Sequence, residues 1–134
     1  MELDHIGIAV NSLEEAKVFY EALGWKSMPS EVVESEKVKV GFLNLENNCA
    51  LELLESTSND GPIAKFIEKR GTGIHHICLR VKNIQETLKQ LKEKNIQLLN
   101  SEPKLGAHNC LVAFIHPKST GGVLIELSQP QGDV

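Results

Sequence analysis

The chain has 134 residues, 41% of them hydrophobic and 24% charged, with a formal net charge of −4. That is one ordinary domain with enough apolar material for a core, and the acidic balance excludes a general nucleic-acid binder, which needs a basic stripe. Three cysteines (Cys49, Cys78 and Cys110) with no Cys-x-x-Cys pair, no basic-then-apolar leader and no long apolar span together predict a cytoplasmic protein without a membrane segment.

The first element is the strand "HIGIAV", in which Ile6, Ile8 and Val10 alternate with His5, Gly7 and Ala9 as in a half-buried strand. Ser12 with Glu15 three residues on is a capping box. Leu13, Ala16, Phe19, Tyr20 and Leu23 then follow at helical spacing until Gly24. Strand-like runs come next, around Trp25–Met28, Val38–Leu45 and Ala50–Leu54. Ser56 to Gly61 is turn chemistry. Pro62 is placed to start a connector helix with Ile63, Phe66 and Ile67 on its apolar side, ended by Gly71 and Gly73. "GIHHICLR" is a strand whose two adjacent histidines must face opposite ways. Asn83 and Glu86 cap a helix striped with Ile84, Leu88 and Leu91, ending near Asn95. The last strands are expected at Ile96–Leu99, Leu111–Ile115 and Gly122–Leu127.

These elements state one pattern twice. "DHIGIAVNSLEEA" aligns with "HHICLRVKNIQET" at a constant offset of 71 residues, and "ALELLES" with "LIELSQP" at 74. Two matches in order at nearly one offset predict a duplicated unit, β-α-β-β-β in each half. The expected organisation is a single domain over 1–134, made of a module 1–56, a connector 57–73 and a module 74–129, since a half of this size buries too little to stand comfortably alone.

Four polar residues occupy equivalent strand positions: His5, Glu52, His76 and Glu126. A glutamate inside "ALELL" or "LIELS" is costly unless it has a partner. For either glutamate alone a solvent-facing strand position is the commoner explanation, and a lone His5 is more often structural than a ligand. The four together on a repeated frame point to a metal centre, two imidazole nitrogens and two carboxylate oxygens suiting Zn, Fe, Co, Ni or Mn. His75 falls outside the match and is expected to be structural. His108 and His116 are expected in loops, His108 with a weak claim to substrate contact.

The duplicated unit with this ligand set resembles the vicinal oxygen chelate (glyoxalase/bleomycin-resistance) superfamily. Along nearly the whole chain, through "GPIAKFIEKRGTGIHHICLRV", "EPKLGAHN" and "FIHPKSTGGVLIELSQP", it is most similar to the methylmalonyl-CoA epimerases. The resemblance implies an α+β fold in which the two βαβββ modules form a curved, metal-cupping sheet. It implies a divalent metal on His5, Glu52, His76 and Glu126, some members having Gln at the position of Glu52. It also implies an acyl-CoA substrate and a homodimer, with no nucleic acid or membrane partner.

The implied reaction interconverts (R)- and (S)-methylmalonyl-CoA through an enolate. Glu126 would serve as both ligand and base, with a second acid returning the proton on the other face. Some epimerases carry another glutamate in the strand before Glu52. Here "KVKVGFLNL" offers Lys37 and Lys39 instead, and Glu34 and Glu36 before it read as solvated loop charge. For substrate binding the resemblance points to the loop at Gly106, Ala107 and His108, whose amides would hold the carboxylate, and to Lys118 for the coenzyme phosphates. Two alternatives stay open: lactoylglutathione lyase (glyoxalase I), which commonly has an arginine where this chain has Ala9, and a non-catalytic bleomycin-resistance-like binding protein, which typically lacks the ligands.

Overall fold

The computed structural model describes residues 1–132. In chain order the elements are β1 Glu2–Ala9, α1 Leu13–Ala22, β2 Ser30–Val33, β3 Val38–Asn44, β4 Ala50–Ser56, α2 Pro62–Arg70, β5 Gly73–Arg80, α3 Ile84–Glu93, β6 Lys104–Leu105, β7 Cys110–Ile115 and β8 Ile125–Pro130. Each half is the expected βαβββ unit, with α2 between them. The contacts divide into two compact units, one of His5–His75 and one of Met1–Asp4 with the chain from His76 onward.

In the first unit the strands lie in the order β2-β3-β4-β1. β1 and β4 are parallel, with Gly7 opposite Glu52 and Ile8 opposite Leu53. A parallel pair needs a crossover, and α1 supplies it. The Ser12 side chain accepts from the Glu15 amide at 3.2 Å, as the capping box requires, and the Leu13 amide donates to Glu55 Oε1 at 2.7 Å. The second bond ties the start of the helix to β4. Leu13, Leu43 and Leu53 form the buried centre between helix and sheet, joined by Ile8, Val10, Tyr20, Trp25 and Met28. Each such leucine contributes about 1.5–3 kcal/mol by leaving water.

The second unit repeats this in detail, with strands in the order β5-β8-β7-β6. β5 and β8 are parallel, with Cys78 opposite Glu126. Asn83 caps α3 through the Glu86 amide at 3.0 Å, and the Ile84 amide donates to Gln129 Oε1 at 2.8 Å. Glu55 and Gln129 stand 74 residues apart, the offset of the repeat. The core here is Val81, Ile84, Leu88, Ala113, Ile115 and Leu127, with Leu79, Leu91 and Ile96 against it. Asp4 belongs to this unit: Arg80 grips its Oδ1 through Nε at 2.9 Å and Nη2 at 2.8 Å.

Five expectations need correction. Trp25–Met28 is not a strand. Trp25 donates its amide to Tyr20 O at 3.1 Å, its ring and the Met28 side chain pack against the core, and the strand begins at Ser30. Ile96–Leu99 makes only a single bridge, Leu98 to Ile115, while the short strand lies at Lys104–Leu105. The last strand starts at Ile125 rather than Gly122, because Gly121 and Gly122 turn the chain at φ 73° and 94°. Gly73 does not end the connector helix with Gly71; it is already the first residue of β5. The half-buried description of "HIGIAV" also fails. His5, Gly7 and Ala9 are the buried residues and Ile6, Ile8 and Val10 the partly buried ones, because small side chains let a strand be covered on both faces.

Candidate metal centre

Two buried histidine–glutamate pairs, one in each unit, occupy the same place in the fold. In the first, His5 on β1 sets Nδ1 3.0 Å from Glu52 Oε2 on β4. In the second, His76 on β5 sets Nε2 2.9 Å from Glu126 Oε1 on β8. The exposures are 5% and 8% for the first pair and 6% and 8% for the second. A parallel strand pair with a two-residue stagger produces this: the histidine lies two residues before Gly7 or Cys78, the residue facing the glutamate, and so shares its face.

Removing a carboxylate from water is expensive unless it is paired. Each glutamate here has an imidazole as its partner, and none of the four is a surface charge. As neutral imidazoles and ionised carboxylates the four offer two nitrogens and two oxygens, a donor set that fits a divalent ion of the zinc, cobalt, nickel or manganese kind.

The surroundings repeat as well. Phe42 stands directly opposite Glu52 across the antiparallel β3–β4 ladder. Phe114 stands directly opposite Glu126 across β7–β8. The Phe114 ring meets His76 edge to face, centroids 5.7 Å apart and planes at 78°. Ser128, two residues beyond Glu126 on the same face, is 3% exposed, and its hydroxyl has no hydrogen-bond partner among the described residues. Sequence reasoning singled out none of these three residues. Neither repeat offset aligns the two phenylalanines, which stand 72 residues apart, so their equivalence shows only in the strand register.

The other candidates lie apart from the pairs in role. His75 stands edge-on to Phe66, with centroids 4.9 Å apart, and braces α2. The Gly106 amide donates to Cys110 O at 2.8 Å, so it is not available to hold a substrate carboxylate. Gly106 is small because a Cβ there would lie 3.0 Å from Val112 Cγ1. Ala107, His108 and Asn109 form a tight turn in which His108 and Asn109 are left-handed, at φ 55° and 56°. Lys118 is exposed in the turn Pro117–Ser119. His116 lies in a loop as expected, where its Nδ1 accepts the Lys118 amide at 3.0 Å.

The turn before β3 also departs from expectation. Glu36 is half-buried and its Oε1 is enclosed from solvent, which a solvated loop charge would not be. Lys37 follows it at φ 53° and places Nζ 2.8 Å from Asp60 Oδ2. Hydrogen bonds from Lys37 and then Ser58, with the Lys37 charge, lower the Asp60 carboxyl to about 2. The turn is thereby fastened to the segment leading into α2.

Residues 4–114 match the Glyoxalase/Bleomycin resistance protein/Dioxygenase superfamily. The chain is 44% identical over 129 residues to the mitochondrial methylmalonyl-CoA epimerase of Homo sapiens, covering 95% of this chain and 73% of that protein. It is 42% identical over 130 residues to an ethylmalonyl-CoA/methylmalonyl-CoA epimerase of Cereibacter sphaeroides, covering 95% and 96%. A solved structure of a glutamate-to-glutamine variant of Streptomyces coelicolor methylmalonyl-CoA epimerase in complex with 2-nitronate-propionyl-CoA superposes with a TM-score of 0.90 at 32% identity, covering 98% of this chain and 99% of that one.

Proposed function

The chain belongs to the Glyoxalase/Bleomycin resistance protein/Dioxygenase superfamily, and from that premise we propose that it is an epimerase interconverting (R)- and (S)-methylmalonyl-CoA. The observation that carries the proposal is the pair of buried histidine–glutamate sets at repeat-equivalent positions, in a chain whose epimerase relatives align over nearly its full length. We take both modules to act as one domain, with His5, Glu52, His76 and Glu126 holding one divalent ion. Such an ion would supply Lewis acidity toward the thioester and carboxylate oxygens of the substrate.

The rest of the chemistry falls to side chains. The C2 proton lies between a thioester and a carboxylate and is acidic for that reason. Glu126 removes it as a carboxylate, and a second acid protonates C2 from the opposite face. Glu36 is our candidate for that acid, supported by its enclosed Oε1. Ala107 and His108 of the left-handed turn would contact the acyl portion, and Lys118 the coenzyme phosphates. A cytoplasmic homodimer completes the proposal. The three cysteines, none of them in a disulfide, suit a reducing compartment, and among the described residues no helix is long and apolar enough to cross a membrane.

Deuterium exchange at C2 of methylmalonyl-CoA in heavy water tests this, run beside a methylglyoxal–glutathione hemithioacetal assay. Exchange without lyase activity is expected. Lyase activity without exchange would select the glyoxalase alternative, and neither activity would reject the enzyme. Glu126→Gln should lower the exchange rate by roughly 10²–10⁴ with the fold kept; an unchanged rate removes Glu126 as the base.

A further inference from the structure

We infer that Phe114 is a positioning residue that fixes the His76 imidazole in its ligand orientation, an inference that rests on the metal reading of His76 and Glu126. β8 lies between β5 and β7. His76 approaches Glu126 from the β5 side, at 2.9 Å. Phe114 stands opposite Glu126 on the β7 side. Its ring meets the imidazole at an edge-to-face angle, with centroids 5.7 Å apart. Glu126 thus has the histidine's strand on one side and the phenylalanine's strand on the other, and the two rings meet.

Packing alone does not account for a phenylalanine here. Its neighbours Ala113 and Ile115 point into the core beneath α3. Phe114 points to the other face and is only half-buried. What it does touch is a histidine that must hold one rotation about its ring bond for Nε2 to face Glu126. An edge-to-face aromatic contact favours one ring orientation, and a phenyl ring offers no donor or acceptor to compete for the imidazole nitrogens or the carboxylate. The first unit repeats the placement, with Phe42 opposite Glu52. The pattern has therefore been kept in both halves, although the flanking residues differ: Gly41 and Leu43 in one, Ala113 and Ile115 in the other.

The test uses the full chain stripped of metal. Cobalt(II) is titrated in and followed by its visible absorption and by calorimetry. Phe114→Leu should weaken cobalt binding by about 10–100-fold, the usual effect of losing a partner that orients a ligand, while Phe114→Tyr, which keeps the ring, should restore it. In the metal-free wild type the His76 ring protons should show a ring-current shift, lost in Phe114→Leu and retained in Phe114→Tyr. A folded Phe114→Leu protein with wild-type cobalt affinity overturns the inference. So does an unshifted His76 resonance in the wild type, which requires no variant to fold. A wild type that takes up no cobalt while showing the shift rejects the metal reading and with it the ligand-orienting role, leaving only a ring contact.

Discussion

At the scale of single residues, both candidate centres are made by placing polar atoms where only a partner makes them tolerable. Glu52 and Glu126 have theirs in the adjacent imidazoles. The Ser128 hydroxyl has none among the described residues, and a buried hydroxyl without a hydrogen bond opposes folding. Ser128→Ala is therefore expected to stabilise the protein by about 1 kcal/mol, seen as a higher urea midpoint. A lower midpoint would mean that the hydroxyl finds a partner in solution. This residue was not legible in the sequence, because a serine two places after a glutamate in "IELSQ" carries no sign of depth. The candidate ligand histidines and glutamates were legible for the opposite reason: each recurs at the repeat offset inside an apolar strand, which is an improbable place for a charge. Glu36 was misread because local composition around it is polar.

At the scale of elements, the long helices and the central strands followed their patterns, and the edges did not. β3, β4 and β7 are apolar runs whose residues fix them. β2 and β6 are short and polar, and their place is dictated by pairing to β3 and β7, information absent from their own residues. The tertiary caps are a second case. Helix starts are normally read from the residue just before them, and Ser12 and Asn83 were visible in that way. Glu55 and Gln129, which hold the Leu13 and Ile84 amides, come from strands more than forty residues away. Each lies three residues beyond a candidate ligand, Glu52 or Glu126, so each strand carries its ligand and anchors its helix together. Gln129→Ala should cost about 1 kcal/mol of stability, measured by thermal unfolding, with Gln129→Glu restoring most of it. No loss would show that water satisfies the Ile84 amide equally well.

At the scale of the molecule, duplication was the most legible property, and the structure extends it beyond the sequence match. Equivalent positions recur in both cores, Leu13, Leu43 and Leu53 in one standing where Ile84, Ile115 and Leu127 stand in the other, and the caps, the histidine–glutamate pairs and the phenylalanines opposite the glutamates recur as well. An ion held by residues from both modules would bind the native state and not the unfolded chain. Cobalt at a hundredfold excess over its dissociation constant would then stabilise by about 2.7 kcal/mol, raising Tm by roughly 10 °C. The shift should vanish in His5→Ala and equally in His76→Ala. A shift that survives either substitution would count against a shared centre.

The division of β1 has a practical side. Its first residues, Met1–Asp4, belong with the chain from His76 onward, while the remainder of the strand belongs to the unit that ends at His75. Arg80 reaches Asp4 across 76 positions of sequence and has Glu2 within 3.7 Å as well. An affinity tag fused ahead of Met1, or exopeptidase trimming of the first four residues, would therefore be felt first around Arg80 in the distant module. An amino-terminal fusion is on this account a perturbation of the carboxy-terminal half.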